Sequence, residues 1–381
     1  MNQIPVFKPL VGNDEVQAAS RSLIGGWHGM GASVGLFEKE LSSFLQLKDR
    51  SIVAVSTGHA ALHLAMLLIG VGDGDEVITP SFNNVADLQA IMAVGARPVF
   101  CDIDEETLCI DLFKAQELVS PKTRAIIAMD YGCHLVDHEH LESFASRNNL
   151  RVVHDAAHSF GSRYKERMIG TFSDICMFSF DPVKTITCLD GGALIVKTKE
   201  EVASLHEMRL IGMNQPSSVM YGNERAWTYG VSRLGFRYHL ANLHAEIGRC
   251  QLTKISRIAA SRRSSCDLYN YSLRDVKEVT LPKQNFEEVL PFIYYIRVPK
   301  ESRNDLREFL RERGVDTGIH WQPGHEFELF KNSRRGSLEV TDKISQEIVT
   351  LPLHSEMLEE DVLAVSCAIK LFFKADSREI L

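Results

Sequence analysis

Between residues 50 and 200, short apolar runs alternate with helical stretches, and this alternation leaves few architectures open. SIVAVS (51–56), EVITP (76–80), RPVFCDID (97–104), RAIIAMD (124–130) and RVVHDA (151–156) read as strands. Helical segments such as VADLQAIMAVG separate them, and HAALHLAMLLIG is apolar nearly all round, which predicts a buried helix. Units of this length predict an α/β fold with a mostly parallel central sheet covered on both faces. ICMFSF (175–180) and GALIVK (192–197) follow too closely for a helical crossover, so at least one of them is expected to run antiparallel. A charged helix is predicted at 199–209, and 213–235, rich in Asn, Ser, Gly and Tyr, as a long loop.

From Asn242 the chain reads as helical, with QLTKISRIAASRRSSCDLYNYSLRDV as one long connecting helix. Beyond Pro282, PFIYYIRV (291–298) reads as a strand, RNDLREFLRERG (303–314) as an amphipathic helix closed by Gly314, and DVLAVSCAIKLFF as a last helix. The expected division is a large domain at 1–254 and a smaller α+β domain at 255–381.

Basic residues number 42 and acidic residues 50, a net charge of −8. No broad basic field serves nucleic acid, so an anionic ligand needs a local site. The eight cysteines never fall in a C-x-x-C spacing and are expected to be reduced thiols of a cytoplasmic protein, not a disulfide framework or zinc site. MNQIPVFKPLVGNDE lacks the basic start and apolar core of a signal peptide. The longest apolar tract, 60–71, is too short to span a bilayer.

Four segments carry chemistry. Ser56-Thr57-Gly58-His59 ends a strand and opens a helix, whose free N–H groups and positive dipole end suit a phosphate. Gly58 lets the backbone approach closely. His154-Asp155-Ala156-Ala157-His158 ends another strand. Its carboxylate suits a protonated heterocyclic nitrogen, and its alanines leave room for a flat ring. Phe178-Ser179-Phe180-Asp181-Pro182-Val183-Lys184 puts a lysine after an apolar strand, and a lysine partly buried there becomes a nucleophilic amine. Gly235-Phe236-Arg237 offers a clamp for an anion. Taken alone, each has an ordinary explanation: a Thr cap, an Asp-capped turn, a surface lysine, a surface arginine.

Together and in this order, they resemble the DegT/DnrJ/EryC1/StrS family. These are pyridoxal-phosphate (PLP) enzymes of aspartate-aminotransferase type (fold type I) that act on nucleotide-linked keto sugars. The resemblance runs from IPVFKPLVGNDE and GWHGMGASVGLFEKEL through TGHAALHLA, GDGDEVITPSF, HDAAHSFGSRY and FSFDPVKTITCLDGGALIV to NLHAEIGRCQL, GIHWQPGH and LPLH. It implies that Lys184 binds the cofactor covalently and later acts as general base and acid. It implies that Asp155 pairs with the pyridine nitrogen and Ala157 packs on the ring. His158 is implied near the ring oxygen, and Ser179 with the backbone of Gly58 and His59 at the phosphate. The family's G-x-N-x-R loop reaches the phosphate of a neighbouring subunit, which implies a homodimer with shared sites; Arg237 stands at its Asn. Glutamate is the implied amino donor, and His320, in GIHWQP, the implied approach to the sugar.

Three positions depart from the family: His59 stands for a Thr, Asn84 for an aromatic residue at the cofactor ring, and Arg237 for an Asn. A sugar dehydratase of the same family carries His where Lys184 stands. A non-catalytic regulator need not retain Asp155, Ser179 and Lys184 together. His134, His138 and His140 lack the H-E-x-x-H pattern and read as a solvated polar face at a helix start, and no metal is expected.

Overall fold

A computed structural model of the chain describes residues 3–284 and 286–379. Its first strands are β1 (Ser51–Val55), β2 (Glu76–Pro80), β3 (Arg97–Cys101), β4 (Thr123–Met129) and β5 (Arg151–Asp155). The short pair β6 (Arg163–Tyr164) and β7 (Arg167–Met168) precedes β8 (Ile175–Ser179) and β9 (Gly192–Val196). A second short pair, β10 (Met213–Asn214) and β11 (Gly230–Val231), is followed by β12 (Tyr294–Arg297) and β13 (Ile348–Leu351). The helices up to the sheet's end are α1 (Asn13–Ile24), α2 (Ala32–Phe44), α3 (Gly58–Ile69), α4 (Val85–Ala93), α5 (Leu112–Leu118), α6 (His138–Asn148) and α7 (Lys199–Met208). After them come α8 (Ser217–Met220), α9 (Asn242–Thr253), α10 (Ile255–Leu273), α11 (Lys300–Glu312), α12 (Glu339–Glu347) and α13 (Glu359–Glu379).

The central sheet has the order β1-β9-β8-β5-β4-β2-β3. β3, β2, β4, β5 and β8 are parallel neighbours, and β9 runs antiparallel to both β8 and β1. The short link after β8 therefore returns the chain directly, as its length requires. Alternate residues of each strand go to opposite cores. In β4, Ala125 and Ile127 join the cluster under α3 and α7, while Ile126 and Ala128 face the other side. Both faces are dry, which explains why these strands read as continuous apolar runs. α3 is enclosed by the sheet, α4 and α7, and Leu64, Ala65 and Met66 are fully buried. Burial of each large apolar side chain there stabilises the helix by roughly 1.5–3 kcal/mol.

Three expectations change. The connecting helix is two helices, α9 and α10, broken at Lys254 (φ −96°, ψ 0°), whose ammonium is held by Glu15 at 2.7 Å and Asp14 at 3.1 Å. The 213–235 loop contains the β10–β11 pair and the single turn α8. His134 and His138 are buried, not solvated: His134 Nε2 lies 3.0 Å from the Tyr295 hydroxyl, and the His138 ring stacks on Phe172 at 4.4 Å. The eight cysteines are free thiols, with Cys367 exposed. Among the described residues no helix is long and apolar enough to cross a membrane.

Candidate active site

A cavity of about 500 Å³ opens where the carboxyl ends of β4, β5 and β8 meet the start of α3. Gly58, His59, Asn84, Asp155, Ala157, His158, Ser179, Lys184 and His320 all line it. Arg237 does not. It is exposed beside Trp27 and Trp227, around a separate hollow of this chain.

One end of the cavity is built for an anion. Thr57 caps α3, its hydroxyl accepting from the N–H of Ala60 at 2.8 Å, and its carbonyl accepts from Ala61. The N–H groups of Gly58 and His59 stay outside the helical ladder, as the first turn of any helix dictates. Ser179 adds a hydroxyl at the end of β8. A Cβ on Gly58 would lie 2.7 Å from Ser179 Cβ and 2.8 Å from its Oγ, and one on Gly192 would lie 2.4 Å from the Thr57 carbonyl oxygen. Both glycines are therefore required by close approach. Gly58→Ala is expected to push Ser179 away and weaken cofactor binding about 10–100-fold, the loss of one hydrogen bond to a charged group. Equilibrium dialysis checks it, and unchanged affinity would contradict this account of the cradle.

At the other end Asp155 is buried, with Oδ1 accepting from the Ala157 N–H at 2.9 Å. Burial raises its pKa, opposed by that N–H, Lys184 and His154. Asp87, absent from the sequence reading, lies within hydrogen-bond reach of Asp155 and is wholly buried. Burial and the neighbouring Asp155 charge push Asp87 well above the usual carboxylate range.

Lys184 stands in a turn set by Asp181, whose Oδ1 accepts from Val183 N–H at 3.0 Å and whose carbonyl accepts from Lys184 N–H at 3.1 Å. The side chain is partly exposed where it lines the cavity. Burial by the surrounding protein lowers its pKa to about 8, against the opposing pull of Asp155 and Asp181. Its Nζ lies 4.4 Å from the Phe292 ring centre.

His158 accepts from the Gly132 N–H at Nδ1, 3.2 Å, which assigns the ring proton to Nε2. Burial, with Lys184 and His320 nearby, holds its pKa well below the ordinary value. Burial and Lys184 likewise lower His320 to about 4, and His320 Nδ1 lies 3.0 Å from Thr350 Oγ1. Both imidazoles are neutral near pH 7.

Asn84 is a helix cap, its Oδ1 accepting from Ala86 N–H at 2.9 Å, so it supplies no ring face. Aromatic surface comes instead from Phe7, Phe292 and Trp321. Phe7 stacks on Phe292 at 5.3 Å, and Trp321 lies nearly parallel to His158 at 6.0 Å. These residues were not legible as site residues, although Trp321 falls within the GIHWQP segment already singled out.

A model of the DegT/DnrJ/EryC1/StrS aminotransferases matches residues 9–370. The chain belongs to this family. Among solved structures, it is similar to the aminotransferase TlmJ of Streptoalloteichus hindustanus, with 29% identity and a TM-score of 0.92 over 98% of this chain and all of that one. DesV of S. venezuelae, solved in complex with a ketimine intermediate, is 26% identical, with a TM-score of 0.88 over 98% and 99% of the two chains. Spr1654 of Streptococcus pneumoniae, described as a sugar aminotransferase and solved in its PLP form, shares the fold at 24% identity and a TM-score of 0.90 over both whole chains.

The family's enzymes are PLP-dependent aminotransferases, and PLP is the cofactor here. The cavity fits it. Two helix-start N–H groups and a hydroxyl suit the phosphate, a buried carboxylate suits the ring nitrogen, and an amine with lowered pKa suits the aldehyde.

Proposed function

We propose that this aminotransferase moves an amino group from glutamate to a keto sugar carried on a nucleotide. The observation that carries the reading is Lys184 facing Asp155 in one cavity, with the open start of α3 beside them. The likeness to Spr1654 supports a sugar as acceptor. Lys184 in place of His speaks against the dehydratase alternative.

Bound PLP supplies an aldehyde and an electron-withdrawing ring. Gly58, His59 and Ser179 hold its phosphate. Asp155 would keep the ring nitrogen protonated, with the carboxyl of Asp87 buried beside it. Ala157 leaves space at the ring face, and His158 donates from Nε2. The Lys184 amine would take the proton from the donor's Cα and return one to the acceptor carbon. His320, which lines the cavity, would approach the sugar.

The test is spectroscopic. Glutamate should bleach the visible band of the PLP-loaded protein, and one member of a panel of nucleotide keto sugars should restore it. Bleaching without recovery by any of them would reject the nucleotide-sugar reading, and the absence of a band would reject the enzyme.

Arg237 assigns a role to a second copy of the chain. Its loop is rich in exposed apolar residues, with Trp227 89% and Leu234 78% exposed, and Ile24 on α1 is 86% exposed. Such surface is costly in water and favours association. A homodimer in which Arg237 reaches the neighbour's phosphate makes a specific prediction. Lys184→Ala and Arg237→Ala subunits, each weak alone, should regain activity when mixed, because some hybrids then hold one intact site. No recovery on mixing would place Arg237 outside the shared site.

A further inference from the structure

We infer that Asp130, His138 and His154 form a second site, which takes a divalent transition ion of the zinc type. Asp130 directly follows β4, His154 is the penultimate residue of β5, and His138 opens α6. One donor atom from each lies within 4.8 Å of the others, and all three side chains are fully buried.

The hydrogen bonds of this cluster do not close. Asp130 is well served: Oδ2 lies 2.7 Å from His154 Nε2 and accepts from Ser159 Oγ at 2.6 Å, and Oδ1 accepts from Val136 N–H at 2.8 Å. Both ring nitrogens of His138 and Nδ1 of His154 are buried without a partner. The Cys176 thiol lies beside the His154 imidazole, and aromatic rings pack against His138. His138 lies flat against Phe172 and edge-on to Tyr164 at 5.0 Å and to His154 at 4.5 Å. Orphaned buried nitrogens are costly, and a cation shared with Asp130 and His154 would satisfy one nitrogen of His138.

The donor set selects the ion. Two imidazoles and a carboxylate suit zinc, whereas magnesium and calcium prefer oxygen shells. Cys176 sits opposite His154 across the β5–β8 pair, outside the three-residue cluster. Zinc bonds of about 2.0–2.3 Å require the donors to regroup, with the Asp130–His154 pair at 2.7 Å opening to admit the ion. The enclosed position points to a structural ion. Because side chains alternate along β5, it sits on the face opposite Asp155 and ties α6 to the strand ends that carry the active site. The inference is independent of the sugar reading.

The test uses the full chain, PLP-loaded and produced in zinc-supplemented medium, so that the ion enters during folding. Elemental analysis should find about one zinc per chain, and X-ray absorption at the zinc edge should show imidazole ligands. His138→Phe preserves the stack on Phe172, and Asp130→Asn preserves shape. Both should fall to about a tenth of an equivalent or less with the PLP band retained. Should His138→Phe fail to fold, Asp130→Asn and the absorption edge still decide. Zinc below about a tenth of an equivalent in the wild type, or equal zinc in wild type and a folded variant, would overturn the site.

Discussion

Lys184→Ala is expected to abolish amino transfer, with turnover falling by about 10⁴ or more, because two roles vanish together. Lys184 is the one primary amine among the cavity residues. Burial holds its pKa at about 8, well below that of a free lysine. The neutral amine is the reactive form, so in the wild type the rate of covalent PLP capture should rise with pH and level off above about 8. The same shift has a stability consequence. Between about 8 and the ordinary lysine value of 10.5 the unfolded chain holds the proton and the folded one does not, so this group's contribution to stability rises with pH across that window. The variant should still bind PLP without a covalent link, as measured by dialysis, and a small external amine should restore part of the rate. Turnover within tenfold of wild type would reject the assignment.

Asp155→Asn should separate catalysis from stability. Removing the carboxylate removes the group proposed to hold a proton on the cofactor ring, and a fall in turnover of about 10²–10³ is expected, as for other preorganised electrostatic contacts. The fold should not suffer. Asp155 and Asp87 are two buried carboxyls in mutual contact, each raised by burial, and the asparagine carries no charge into that dry space. The melting temperature should therefore equal or exceed that of the wild type while activity collapses. A melting temperature that fell in step with activity would make Asp155 a structural residue.

The parts of this molecule that were legible are those with local signals. The strands of the sheet announce themselves by apolar runs, α3 by its all-round apolarity, and the cavity residues by standing where strands end. What escaped depends on distant contacts. Phe7 and Phe292 lie far apart in the chain and meet only after the C-terminal segment docks. Asp87 carries no local signal, and only the packing of α4 against the sheet brings it to Asp155. His138 looked solvated because helix starts usually are; burial against Phe172 and Tyr164 is tertiary. The break at Lys254 carries no glycine or proline and is held by an ion pair with α1.

The placement of β9 links cofactor capture to folding order. The cradle proposed for the cofactor phosphate has two halves, Thr57–His59 at the end of β1 and Ser179 at the end of β8, and these strands are not neighbours. β9 lies between them, pairing Ser51 with Val196 on one side and Ser179 with Gly192 on the other. Such long-range pairing carries the entropy of closing a large loop and forms late. Until Gly192 slides in beside the Thr57 carbonyl the cradle does not exist, so a chain that holds its cofactor is one that has finished building its sheet.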